Sequence, residues 1–132
     1  MKPITALFAL FLLATGAQAQ ELLGQTYYEN GRLQSTRFTD GATEHFITYY
    51  PNGRIQASGA FRDGRRDGVW KQFAENGAVM AEASFRAGHR IGVWQFRDGA
   101  NGLKGRLTYA DGRLASGEQF DPQGELIAQR TY

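Results

Sequence analysis

The feature that most constrains this chain is a stretch that occurs twice, from Gly53 to Gly77 and again from Gly77 to Phe96. Gly53 returns as Gly77, Phe61 as Phe85, Gly64 as Gly88, Gly68 as Gly92, Val69 as Val93 and Trp70 as Trp94, each pair 24 residues apart. A fixed period of ~20–50 residues marks a repeat architecture, in which each unit buries its apolar groups against its neighbours. Between the repeated residues, polar and apolar side chains alternate in short runs, and glycine interrupts every run. That pattern predicts short strands and turns, with no helix from Gln20 onward. The 17 glycines are spaced rather than clustered, which argues for ordered turns.

Two phrases alternate along the chain. The first is Tyr27-Tyr28-Glu29-Asn30-Gly31-Arg32-Leu33, which returns around Asn52-Gly53, Asn76-Gly77 and Asp111-Gly112, and more faintly around Gly124. An aliphatic residue stands two positions after each glycine: Leu33, Ile55, Val79, Leu114 and Leu126. Asn-Gly between strand-like runs predicts a two-residue type I′ hairpin turn. The second phrase is Phe38-Thr39-Asp40-Gly41, matched by Phe61-Arg62-Asp63-Gly64 and Phe85-Arg86-Ala87-Gly88. In the two better copies it runs on to Gly68-Val69-Trp70 and Gly92-Val93-Trp94, and the glycine pairs read as a longer loop on the opposite edge. The fold expected is all-β, an elongated single-layer antiparallel sheet of stacked hairpins. The ends depart from the pattern. The first unit is 22 residues long and carries Phe46 near the Trp position, and the spacing after Trp94 reads as changed, with Asn101-Gly102 in a hairpin loop. Atypical end units suit the capping of an open array.

The first residues read as an address rather than as structure. Lys2, the apolar run Ile4 to Leu13 and Ala17-Gln18-Ala19 form a secretory signal peptide, with cleavage after Ala19 and a mature repeat domain over residues 20–132. The apolar run is shorter than the ~20 residues of a spanning helix. A periplasmic or secreted product is therefore expected, and the absence of cysteine leaves no lipid-attachment cysteine. The mature chain carries 14 basic against 13 acidic residues, so no overall field recruits nucleic acid. Zero cysteines exclude disulfides, thiol catalysis and thiolate metal sites. A barrel of the outer-membrane type is rejected because the runs are short and broken by Gln56, Lys71, Gln72 and Glu82.

The Tyr-x-Asn-Gly-x-aliphatic phrase followed by Phe-x-x-Gly-x-x-x-Gly-x-Trp resembles the bacterial variant of the MORN repeat. The resemblance spans Tyr27 to about Phe120 and is strongest at Tyr50, Asn52, Gly53, Phe61, Gly64, Gly68 and Trp70, and at Asn76, Gly77, Phe85, Gly88, Gly92 and Trp94. Phe46 and Leu107 stand where Trp is expected, and Ala83 stands where the first copy has Gly59. The resemblance implies stacked hairpins in one curved sheet and binding rather than catalysis. Proteins of this variant are often grouped as YwqK-type antitoxins, which implies a toxin or envelope protein as partner. Other MORN proteins imply a scaffold that meets proteins or anionic lipid.

Two sets of side chains are candidates for partner binding. Trp70 and Trp94 are expected to stack in a ladder, with Phe38, Phe61 and Phe85 as a second row; the alternative is an exposed strip that grips a partner. Arg62, Arg65 and Arg66 lie in one predicted loop, and Arg86, His89 and Arg90 at matching points of the next. These are either ordinary turn charges or a convergent patch for an acidic protein, lipid phosphate or anionic glycan. His45 and His89 sit at non-equivalent positions, so no metal site is expected. Asp40 has a turn role, and Gly64-Arg65-Arg66-Asp67-Gly68 lacks the Lys-Ser/Thr ending of a phosphate loop. No acid, base and nucleophile converge, so neither catalysis nor a cofactor is expected.

Overall fold

A computed structural model describes residues 20–132. The signal peptide read in residues 1–19 lies outside the described residues. Ten strands form one antiparallel sheet in chain order, from β1 (Gln20–Tyr27), β2 (Leu33–Asp40), β3 (Thr43–Tyr49), β4 (Ile55–Arg62) and β5 (Arg65–Phe73) to β6 (Val79–Arg86), β7 (His89–Arg97), β8 (Leu103–Ala110), β9 (Arg113–Phe120) and β10 (Leu126–Thr131). Each strand pairs with the next, as hairpin repeats require. The expected all-β single sheet is what the chain adopts. Among the described residues no second layer covers either face, and only Phe85 and Thr36 are buried. Stability must therefore come from ladder hydrogen bonds and from side chains packed along the sheet.

The two kinds of turn fall on opposite edges, and the sequence expectation had them reversed. The phrases around Asp63-Gly64, Ala87-Gly88 and Asp111-Gly112 are the tight ones, with both residues at positive φ in each. Arg62 faces Arg65 and Arg86 faces His89 directly, so these are two-residue type I′ hairpins rather than long loops. The Asn-Gly phrases are the longer turns. Tyr50 N–H donates to Arg54 O, Gly53 N–H donates to Tyr50 O, and only Gly53 has positive φ (90°). Pro51 follows Tyr50, where a type I turn takes its fixed φ, and Gly53 supplies the left-handed residue after it. Asn52 Oδ1 accepts the Arg54 N–H at 2.9 Å and leaves its amide free to reach the next turn, where Nδ2 donates to Glu75 O. Asp111-Gly112 thus belongs with Asp63-Gly64, on the other edge from Asn52-Gly53.

The longer turns are tied to one another along their edge. Tyr28 Oη donates to Tyr49 O and Tyr50 Oη to Phe73 O, both at 2.6 Å, while Asn76 Nδ2 donates to Gly99 O at 2.8 Å. The fourth turn has no such Tyr or Asn and closes on its own carboxylate. Asp98 Oδ1 accepts the N–H groups of Ala100 and Gly102, both at 2.8 Å. The bond from Ala100, then that from Gly102, holds the Asp98 carboxyl below its ordinary value.

The period of 24 has a structural cause. Between the pairs Ser58↔Lys71 and Ala60↔Asp67, the single residue Gly59 faces Gly68, Val69 and Trp70. The same bulge recurs where Ala83 faces Gly92, Val93 and Trp94. The β2–β3 pair runs without a shift, so the first unit lacks the two extra residues and measures 22. The period of 24 continues past Trp94 as far as Gly112 and shortens to 23 between the turn positions Asn101 and Gly124, where β9 carries one extra residue opposite β8 instead of two. Tyr109, Asp111 and Gly112 stand 24 residues after Phe85, Ala87 and Gly88, and β7 and β8 are hairpin partners around the turn that holds Asn101.

Candidate binding surface

Residues directly opposite in a sheet share a face, and consecutive residues take opposite faces. Phe61 pairs with Arg66, Phe85 with Arg90 and with Gly68, and Tyr109 with Gly92, which puts all three rings on the face that carries Trp70 and Trp94. The rings form one alternating row rather than separate rows of Trp and Phe. Phe61 meets Trp70 edge-on at 5.0 Å, Trp70 meets Phe85 at 6.5 Å, Phe85 meets Trp94 at 5.2 Å, and Trp94 meets Tyr109 at 4.8 Å. Phe85 is the middle ring and is only 8% exposed. The bulges aim the indoles across the strands. Trp70 Nε1 donates to Ala60 O at 3.1 Å, and Trp94 Nε1 to Ser84 O and Ile91 O at 3.2 Å. Burying an indole requires such a partner, so each bulge both makes room for the ring and satisfies it.

Phe38 is not in this row. Its partner is His45, stacked at 4.8 Å, while Phe61 is opposite Glu44. His45 and Glu44 are consecutive, so Phe38 and Phe61 lie on opposite faces. The cause is a slip of one residue. The β2–β3 turn is Gly41-Ala42, whereas the matching phrase in the next unit turns at Asp63-Gly64. A one-residue slip exchanges the faces of every side chain behind it.

The six basic candidates do lie along one edge, in turns that touch. Gly88 N–H donates to Arg66 O, Gly88 packs against the side chain of Arg65, and Gly112 packs against His89. They divide by face, however. Arg62, Arg65, Arg86 and His89 form opposed pairs at the turns, on the face away from the indoles. Arg66 and Arg90 lie on the indole face. The Arg66 guanidinium is 4.9 Å from Trp70 and 5.5 Å from Phe85, and that of Arg90 is 5.7 Å from Trp94 and 5.8 Å from Tyr109. All six are exposed, and the two ion pairs among the described residues, Arg37–Glu44 and Arg106–Glu118, involve none of them.

Trp70, Trp94, Phe85, Arg66 and Arg90 line a shallow groove of about 690 Å³ whose floor is small, made by Ala57, Ala81 and Ala83. Its remaining walls are Lys71, Gln72, Gly88 and Phe96, so the lining holds three basic residues and no carboxylate. The sequence reading missed Tyr109, the alanine floor and the separation of Arg66 and Arg90 from the other basic residues. The signal for Tyr109 was the same spacing of 24 that linked Phe61 to Phe85. No group of His, Cys, Asp or Glu among the described residues is arranged to hold a metal ion.

Comparison with known proteins gives a match inside this surface. Residues 66–87, from Arg66 through Trp70 and Phe85 to Ala87, match the MORN repeat variant. The match suggests a repeat-based binding module, and it covers the bulge, the longer turn and the returning strand of one unit. No curated protein matches the chain. Among solved structures, a mutant of S. aureus TarM in complex with fondaparinux, alpha-GlcNAc-glycerol and UDP is similar at a TM-score of 0.48 and 7% identity. The likeness covers 69% of this chain and 18% of that one, so the chain spans under a fifth of that protein's length.

Proposed function

We propose that the mature chain is an exported, non-catalytic module that binds another protein on its indole face, and that its specific role is to neutralise a toxin or effector. The observation that carries the reading is the aromatic row from Phe61 to Tyr109, whose half-buried Trp70 and Trp94 line a shallow groove beside Arg66 and Arg90, two exposed arginines with no acidic partner among the described residues. Trp, Tyr and Arg are the side chains that most often anchor protein interfaces. The match of residues 66–87 to the MORN repeat variant supports a binding role, and the amino-terminal signal supports export.

The test is capture from an envelope extract of the native cell with tagged mature chain, alongside a Trp94→Ser variant checked for folding by circular dichroism. A single partner that forms a stoichiometric complex with the wild type and is lost with the variant is the expected result. A partner held equally by both would remove the indole face from the proposal. Protection of cells from the captured partner by co-expression separates the antitoxin role from simple scaffolding. A second reading has one observation in its favour: Arg62, Arg65 and Arg86 are exposed at the turns without ion pairs. It makes the chain an envelope protein that holds anionic lipid or glycan by that edge. Binding to anionic vesicles that falls steeply with salt and vanishes in Arg62→Ala with Arg65→Ala would favour it.

A further inference from the structure

The sheet ends in two strands, β1 and β10, that have a neighbour on one side only among the described residues. They also gather its exposed apolar side chains. Of the ten large apolar residues that stand exposed, six lie on or beside these strands: Leu22, Leu23, Tyr27, Leu126, Ile127 and Tyr132. An open strand presents a row of unpaired N–H and C=O groups that another strand can join. On β10 those groups belong to Gln129 and Thr131, because Tyr132 N–H donates inward to Ala115 O and alternate residues point the other way. Lysine and proline, which guard many open strands, are missing from both. Each bears a single charge, Glu21 on β1 and Arg130 on β10.

The two strands complement one another. Ten strands follow each other antiparallel at every step, so β1 and β10 run in opposite directions. A second copy set beside the first in the same orientation therefore brings its β1 antiparallel to β10, with both indole faces on one side. Pairing leads from Glu21 through Thr39 and Glu44 to Phe61, and from Arg130 through Gly117 and Leu107 to Trp94. Both charges thus lie on the indole face, and neither belongs to an ion pair among the described residues. Pairing either strand with its own copy gathers like charges instead.

The bulges select the register. Leu23 is an extra residue between the pairs Leu22↔Phe38 and Gly24↔Arg37, and Ile127 is one between Leu126↔Phe120 and Ala128↔Gln119. A lone bulge guards an open strand, because its extra residue interrupts any new ladder. Here each strand has one, at the same level. With Glu21 opposite Arg130, Leu22 meets Gln129, Leu23 meets Ala128, Gly24 meets Ile127 and Gln25 meets Leu126. Gln20 meets Thr131, so all six residues of β10 are paired without a shift. Opposed residues share a face on both sides of the bulges.

We infer that the mature chain associates head to tail with copies of itself, β1 of one joining β10 of the next in the Glu21–Arg130 register. The inference rests on cleavage after Ala19, which makes the first residue of β1 the first of the chain. Each addition leaves one β1 and one β10 free, so the sheet extends copy by copy. A single strand edge is a small contact, so association is reversible and grows with concentration. The indole groove stays open in every copy, and an array repeats it for a multivalent partner.

The test uses thiols, since the chain has no cysteine of its own. Leu22→Cys and Gln129→Cys are made separately in a chain beginning at Gln20, then mixed under mild oxidation. Opposed residues of a hydrogen-bonded pair have Cα atoms ~5.5 Å apart, within the ~4.4–6.8 Å that a disulfide spans. The mixture should cross-link about tenfold faster than either variant alone, through the raised local concentration of the paired thiols. The double variant should give a ladder of oligomers. In sedimentation of the cysteine-free chain, Glu21→Arg should weaken association about fivefold and Arg130→Glu added to it should restore it. Trp94→Ser should leave cross-linking unchanged, which separates this contact from the indole-face reading. Equal cross-linking of either variant with itself overturns the proposal in favour of a two-fold dimer. A mixture no faster than the exposed control Val69→Cys overturns it outright, as does loss of cross-linking in Trp94→Ser.

Discussion

The two central units differ at one residue beneath the indole, and the consequence shows what the bulge is for. Under Trp70 lies Gly59, and a Cβ placed there would come within 2.0 Å of the indole Cδ2. Under Trp94 the equivalent residue is Ala83, which has that Cβ. Trp70 stands nearly perpendicular to Phe61, at 82°, and its Nε1 has one acceptor. Trp94 is tilted at 54° to Phe85, divides its Nε1 between two carbonyls and lies 4.8 Å from Tyr109. A single methyl thus separates an indole pressed onto its own hairpin from one that leans toward the next unit. Position 59 sets how tightly a unit closes on itself, and position 83 how strongly it couples forward.

Several substitutions would break or sharpen that contrast. The largest effect is expected at the ring both units share. Phe85→Ala removes the buried link between Trp70 and Trp94 and should cost about 3 kcal/mol in denaturant unfolding. Next, Gly59→Ala should cost about 2 kcal/mol, because an indole rather than a flexible chain end must move. Its near-ultraviolet dichroism should then report two Trp94-like indoles. The reverse change, Ala83→Gly, should cost under about 1 kcal/mol and bring Trp94 to the Trp70 geometry. If Gly59→Ala proves neutral, the close approach is not what distinguishes the units.

The tight turns offer a smaller effect of opposite sign. Ala87 adopts a φ of 49°, where its counterpart Asp63 has 51°. Aspartate tolerates that region better than alanine, so Ala87→Asp should stabilise the protein by about 0.5 kcal/mol, seen as a higher denaturation midpoint. The smallest effect concerns pH. The Asp98 carboxyl is held below its usual value in the folded state by the Ala100 and Gly102 N–H groups. Its contribution is fully present above the unfolded value near 3.8 and is lost as pH falls through the lower folded one. Unfolding midpoints followed downward from about pH 5 should therefore drop more in the wild type than in Asp98→Asn. Identical pH profiles would show that this turn gains nothing from ionisation.

Part of this surface was legible in the amino-acid sequence. That Trp70 and Trp94 share a face followed from their spacing, although they alternate with Phe61, Phe85 and Tyr109 in one row instead of stacking on each other, and the basic residues were placed on one edge because equivalent turns of a repeat must align. What failed was the assignment of faces and of turn type. Asn52-Gly53 and Asp63-Gly64 look alike as dipeptides, yet only the second forms a two-residue turn, because Pro51 and the bond from Arg54 to Asn52 Oδ1 commit the first to a longer one. Phe38 and Phe61 sit in the same phrase, yet a turn moved by one residue sends Phe38 to the other face.

The amino-acid sequence by itself determined the period, the strand class and the alternation of two kinds of turn, since these depend on local backbone preferences of glycine, asparagine and proline and on side-chain alternation. The tertiary structure alone decided that Arg66 and Arg90 lie over the rings while Arg62, Arg65, Arg86 and His89 do not. The reason is physical: faces repeat every two residues, so one inserted or slipped residue reverses them. Where such an insertion falls is settled jointly by two paired strands and the ring that must fit between them.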